Sequence, residues 1–115
     1  MLYLIYKLKE VSKILNTEIS KLTGINVNTI AKIKRGENST WYNYYKYNQA
    51  IGNNIEDKAS VIYHILSDVT HEQYLDIVYW ADLDFTTVQY ACDTHFRNTR
   101  RDTIEKLWEV VNESL

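Results

Sequence analysis

The 115-residue sequence has no proline, three glycines and one cysteine, with 45% hydrophobic residues. Without proline, and with glycine this scarce, long linkers and low-complexity segments are excluded and a compact, all-α chain is expected. The lone thiol, Cys92, has no partner for an internal disulfide, so a reducing cytoplasm is the expected compartment and a small core residue the expected role. The apolar start Met1–Tyr6 gives way at once to Lys7, Lys9, Glu10 and Lys13, far short of a membrane span or an export signal, so no membrane association is expected. Catalytic signatures are missing as well. His71-Glu72-Gln73-Tyr74-Leu75 lacks the second histidine of a zinc-protease pattern, and Cys92, Asp93 and His95 have neither a third metal ligand nor a base to activate a nucleophile. There is no glycine-rich phosphate loop. The expectation is a non-enzyme with no metal and no cofactor.

What is present begins with a hidden asymmetry of charge. The net formal charge is −2, but residues 1–50 carry eight basic and three acidic side chains, and residues 51–115 five basic and twelve acidic. A half at +5 attracts phosphates and a half at −7 avoids them, so the two halves are expected to have different partners.

The densest pattern lies in the basic half, from Thr17 to Gly36. Ile19 and Leu22 share one helical face, Ile30 and Ile33 share another, and both pairs are expected to face a common core. Between them Gly24 can take the positive φ that ends a helix, Ile25 is placed as a buried plug, and Asn26 is a good N-cap for the next helix. Gly36 closes that second helix, with Lys34 and Arg35 in its last turn favouring the carbonyl end of the dipole. Two short helices joined by such a turn read as a helix-turn-helix.

Ile19-Ser20, Thr23-Gly24-Ile25-Asn26 and Thr29 to Gly36 together resemble the lambda-repressor-like, or Xre-type, helix-turn-helix family. The likeness is dense over these twenty residues and looser from about Lys7 to Gly52; Ser20 departs from the family's usual Ala but is still small. The resemblance implies a five-helix DNA-binding domain whose second motif helix enters the major groove of double-stranded DNA by its N-terminal end. The base-reading residues are then Asn26, Val27, Asn28, Ala31 and Lys32. Asn28 suits an adenine edge, Lys32 a guanine or a phosphate, and Val27 a thymine methyl. Thr17, Lys34 and Arg35 are placed to hold the phosphate backbone, as are Trp41 and Tyr42 just beyond, although aromatic clusters at helical spacing more often pack in a core.

In chain order, a first helix is expected over Tyr3 to Leu15, behind the motif. After Glu37–Asn38 comes an aromatic helix capped by Ser39 or Thr40 and holding Trp41, Tyr42, Tyr44, Tyr45 and Tyr47. A fifth helix follows over Ile55 to Ser67. Thr70 with Gln73 forms a capping box for a sixth helix, His71 to Leu83, which is apolar on several sides and so suited to burial between two partners. Asp84 caps a seventh helix running through Phe85, Val88, Cys92 and Phe96. The last helix, Asp102 to Glu113, sets Ile104, Leu107, Trp108 and Val111 on one stripe, either tucked onto its own domain or offered to a second copy.

The expected division is therefore a helix-turn-helix domain over residues 1–67 and an acidic helical region over 68–115 that dimerises or binds a partner. Homodimerisation through the Ile104–Val111 stripe, with Trp108 as anchor, suits proteins that read two half-sites. The leading expectation is a dimeric repressor from a prophage, plasmid or other mobile element. Its rival is a bifunctional protein whose N-terminal half autoregulates while Asp76, Asp82 and Asp84 meet a protein target, as in an antitoxin or an anti-CRISPR inhibitor of a Cas nuclease. Arg97, Arg100 and Arg101, the basic cluster of the acidic half, are placed either to contact DNA outside the motif or, as the favoured expectation, to pair with neighbouring carboxylates.

Overall fold

The computed structural model describes residues 16–114, and within them the chain is all helical. Seven helices follow one another: α1 (Asn16–Thr23), α2 (Val27–Lys34), α3 (Trp41–Ala50), α4 (Lys58–Asp68), α5 (His71–Trp80), α6 (Phe85–Asp93) and α7 (Arg101–Ser114). The helix expected over Tyr3 to Leu15 lies outside the described residues. Among the described residues no helix is long and apolar enough to cross a membrane.

Short-range signals set most helix ends. Gly24, at φ +75°, closes α1 with its N–H on the Ser20 carbonyl at 2.8 Å. Asn26 caps α2 by accepting the Asn28 N–H at 2.8 Å. At the far end of α2, Gly36 turns left-handed and the Glu37 N–H reaches back to the Lys32 carbonyl, satisfying carbonyls that the helix cannot. Thr40, Thr70 and Asp84 cap α3, α5 and α6, and Thr70 with Gln73 completes the capping box.

Three ends differ from expectation. α4 starts at Lys58 rather than Ile55 because Asp57 is its N-cap. α5 and α6 stop at Trp80 and Asp93, short of Leu83 and Phe96. Asp82 (φ +57°) and His95 (φ +56°) make the same left-handed closure that Gly36 makes, with Leu83 N–H on the Val78 carbonyl and Phe96 N–H on the Ala91 carbonyl.

Two hydrophobic clusters hold the helices together. The smaller joins Ile19, Ile25 and Ile30, with Tyr47 and Ala50 packed against it. Leu22 is not part of it and is 74% exposed. The covered side of α1 is formed by Asn16, Ile19, Ser20 and Thr23, and Leu22 lies past its edge. The larger cluster runs from Trp41 to Val111 and draws on every helix from α3 to α7. It crosses the division expected after residue 67, so the core does not part there. Ile104, Leu107 and Val111 lie inside it, at no more than 2% exposure, with Trp108 partly buried alongside. Ile104, Leu107 and Val111 are thus tucked onto their own chain, with Trp108 the one member of the stripe left partly open; burying each such side chain stabilises the fold by roughly 1.5–3 kcal/mol.

Helix α3 belongs to both clusters. Its first turns, with Trp41, Tyr44 and Tyr45, pack on the larger, and its last, with Tyr47 and Ala50, cover the smaller. Its start is stitched to the start of α7: Trp41 N–H donates to the Thr99 carbonyl at 2.8 Å, Arg101 N–H to the Ser39 carbonyl at 2.7 Å, and Thr40 bridges Arg100.

Candidate nucleic-acid interface

The candidate surface is built on α1, the Gly24–Asn26 turn and α2. Ile25, buried in the turn, and Ile30 on the inner face of α2 fix the angle between the two helices. The outer face of α2 then follows from helical period. Asn26, Val27, Asn28 and Lys32 are exposed, and Ala31 is half-buried among them. Asn26 spends its side-chain oxygen on the cap, which leaves Asn28 as the amide whose side chain is free of that task. Val27, 39% exposed at the first position of α2, presents an apolar surface beside it. All five base-reading candidates therefore border one exposed helix face.

The phosphate candidates divide. Thr17 is exposed at the start of α1. Arg35 is exposed at the end of α2, but its guanidinium is held by Glu37, through Nε at 2.7 Å and Nη2 at 2.6 Å. Both partners are half-exposed, so water screens the pair and a phosphate can compete for the arginine. Lys34 is partly buried, and that burial lowers its pKa below the usual lysine value. Trp41 does not fit the assignment. It is 3% exposed, and its indole N–H donates to the Asp57 carboxylate at 3.0 Å, so it is a core residue with its one polar group already engaged. Tyr42 is exposed beside it, with the Lys46 ammonium 4.4 Å and the Arg97 guanidinium 5.9 Å from its ring centroid.

Lys46 was not singled out by the sequence, yet it ties the motif to the rest of the chain. Its ammonium donates to the Thr23 carbonyl at 2.9 Å, at the last turn of α1. A cation there meets the negative end of the helix dipole and satisfies a carbonyl that α1 cannot. The contact spans 23 residues, and no local spacing announces it.

Among the described residues the arginines of the acidic half make no ion pair with a carboxylate; the pairs there are Arg35–Glu37 and Lys58–Glu105. Arg101 instead lies over the Tyr44 ring at 3.9 Å, and Arg97 faces Tyr42. Cys92 is half-buried, and burial with the nearby Asp93 carboxylate pushes its thiol up to about 11, the direction that makes a thiol inert. Among the described residues no group of three or more His, Cys, Asp or Glu side chains could hold a metal ion.

On α5 the buried side is Ile77 and Val78, while Leu75, Tyr79 (79% exposed) and Trp80 (62%) face solvent together with Glu72, Asp76 and Asp82. The helix is covered on one side only. No family model, curated protein or solved structure matches the chain.

Proposed function

We propose that the protein is a sequence-specific DNA-binding transcriptional regulator that reads the major groove with α2. The observation that carries this reading is the α1–turn–α2 unit, where Gly24, Ile25 and Asn26 set two short helices against each other and Asn26, Val27, Asn28 and Lys32 line the exposed face of the second. It is the unit that resembles the Xre-type family. The net charge of +5 over residues 1–50 supports it, because phosphate attraction supplies much of the affinity of such proteins. The five-helix domain of that family, the role of repressor and an origin in a mobile element belong to the same proposal, as does a non-enzymatic role in the cytoplasm. A homodimer would set two α2 helices in successive major grooves. With Ile104, Leu107 and Val111 enclosed in the chain's own core, such pairing draws on no more than Trp108 from that stripe, together with surface elsewhere.

A second reading is favoured by the exposed Leu75, Tyr79 and Trp80 among Asp76, Asp82 and Asp84. Exposed aromatics ringed by carboxylates suit a basic protein partner, as an antitoxin or a Cas nuclease inhibitor would need. The two readings are compatible, since they use opposite halves.

The experiment is binding of the wild type and of the double variant Asn28→Ala, Lys32→Ala to the DNA upstream of its own gene, across a salt series. Specific binding with a steep salt slope, lost in the variant, supports the regulator. Absence of specific binding at every salt concentration leaves α1 and α2 as scaffold and moves the function to the acidic half.

A further inference from the structure

Beside the larger cluster, between α3, α4 and the segment that follows α6, the surface opens into a cleft of about 310 Å³. Its open aromatic faces are Tyr45 from α3 and Tyr63 from α4, both half-buried, with the buried Trp41 and Phe96 behind them. Its polar edge is formed by Arg97, His64 and His95. Aromatic walls with a few convergent donors are what holds a planar ring carrying a charged group. Arg97 makes no ion pair among the described residues, and a guanidinium presents a fork that matches a carboxylate. One carboxylate, Asp57, also lines the cleft. Its Oδ1 is engaged by the Trp41 indole N–H at 3.0 Å and, more weakly, by the Ser60 N–H at 3.4 Å.

The wall that carries Arg97 is set rigidly. His95 Nε2 lies 2.9 Å from the Tyr63 hydroxyl, and the two rings meet edge to face at 4.4 Å. His95 and Phe96 both take left-handed backbone angles, φ +56° and +59°, rare for residues with side chains. Two successive residues of this kind are strained and persist where surrounding packing imposes them. Here Phe96, 1% exposed, is the anchor, and the next residue in the chain is Arg97 at the mouth.

We propose that this cleft binds a small planar aromatic carboxylate, with the ring against Tyr45 and Tyr63 and the carboxylate on Arg97, and that its occupancy acts on the DNA-binding face through α3. The same helix that lines the cleft with Trp41 and Tyr45 packs Tyr47 against Ile19, Ile25 and Ile30 and sends Lys46 to α1. The regulatory half of the proposal rests on the DNA-binding reading; the binding half does not.

The test is calorimetric titration of the full chain with benzoate, benzamide and acetate. Benzoate should bind saturably at one site. Benzamide, which keeps the ring and loses the charge, and acetate, which does the reverse, should bind at least about tenfold more weakly. Arg97→Ala and Arg97→Gln, both at an exposed position, should weaken benzoate by a similar factor, while Arg100→Ala should leave it unchanged. Amide shifts on adding benzoate should centre on Tyr63 and His95 to Arg97. Failure of benzoate to saturate, benzamide binding as well as benzoate, or indifference to both Arg97 variants would overturn the site. If benzoate binds through Arg97 but leaves DNA affinity unchanged, the regulatory half falls. A protein that binds no DNA sinks the regulator reading, with the cleft still judged by calorimetry alone.

Discussion

The Lys46 ammonium, on a helix anchored in the larger cluster, donates to the Thr23 carbonyl at 2.9 Å, at the very end of the first motif helix. It joins the candidate DNA-reading unit to the rest of the chain. Replacing Lys46 by Met keeps the aliphatic stem and removes the donor, so it should cost about 1–2 kcal/mol in chemical denaturation. Hydrogen exchange should localise the loss, with the amides of α1 and α2 exchanging faster and those of α7 little changed. Equal acceleration in both regions would mean that Lys46 is not the local tie.

Asp82 and His95 close α5 and α6 in a conformation that glycine adopts without penalty. Asp82 is exposed, so Asp82→Gly should raise stability by up to about 1 kcal/mol, the relief of left-handed strain outweighing the greater freedom of the unfolded chain. His95→Gly should gain less, because it also removes the contact with Tyr63. Thermal unfolding of both variants reads the difference.

These two positions mark where the sequence stopped being legible. Gly24, Asn26, Gly36, Thr40, Thr70 with Gln73, and Asp84 all act through the backbone within a few residues of themselves, and each sits in the role its chemistry suggests. A left-handed Asp or His carries no such mark, so α5 and α6 ran on too far in the reading of periodicity. Asp57 was hidden as a cap because Ile55, upstream of it, fits the stripe of α4. What a face packs against is a tertiary matter. The α7 stripe was plain from its spacing, but whether Ile104, Leu107 and Val111 met their own chain or another was not. The same holds for the site. The exposed face of α2 follows from helical period, whereas the Trp41–Asp57 bond and the Lys46 tie join residues 16 and 23 positions apart.

The α7 stripe gives a direct test of its assignment to the chain's own core. Leu107→Ala should lower stability by about 2–5 kcal/mol through lost burial and the cavity left behind. The loss should be independent of protein concentration. A variant monomer with intact stability, paired with a weakened dimer, would restore the stripe to an interface.

Cys92 should be a poor nucleophile. With its thiol held up to about 11 by burial, its alkylation near pH 8 should be roughly tenfold or more slower than that of an unfolded control peptide. Because the folded pKa is raised, the protonated thiol stabilises the native state below the ordinary cysteine range, and that contribution fades as pH climbs from about 9 toward 11. Tyr74, pushed up to about 12 chiefly by burial, loses its contribution in the same direction between about 10 and 12. Stability measured from pH 8 upward should therefore fall, and less steeply in Tyr74→Phe.

Whether α2 reads DNA is decided by titrating the labelled protein with duplex DNA from upstream of its own gene and following backbone amides by NMR. The largest shifts should fall on residues 26–32 and the flanking Thr17 and Lys34, with the amides of α5 unmoved. Shifts confined to residues outside α1 and α2, or none at low salt, would contradict DNA reading by α2.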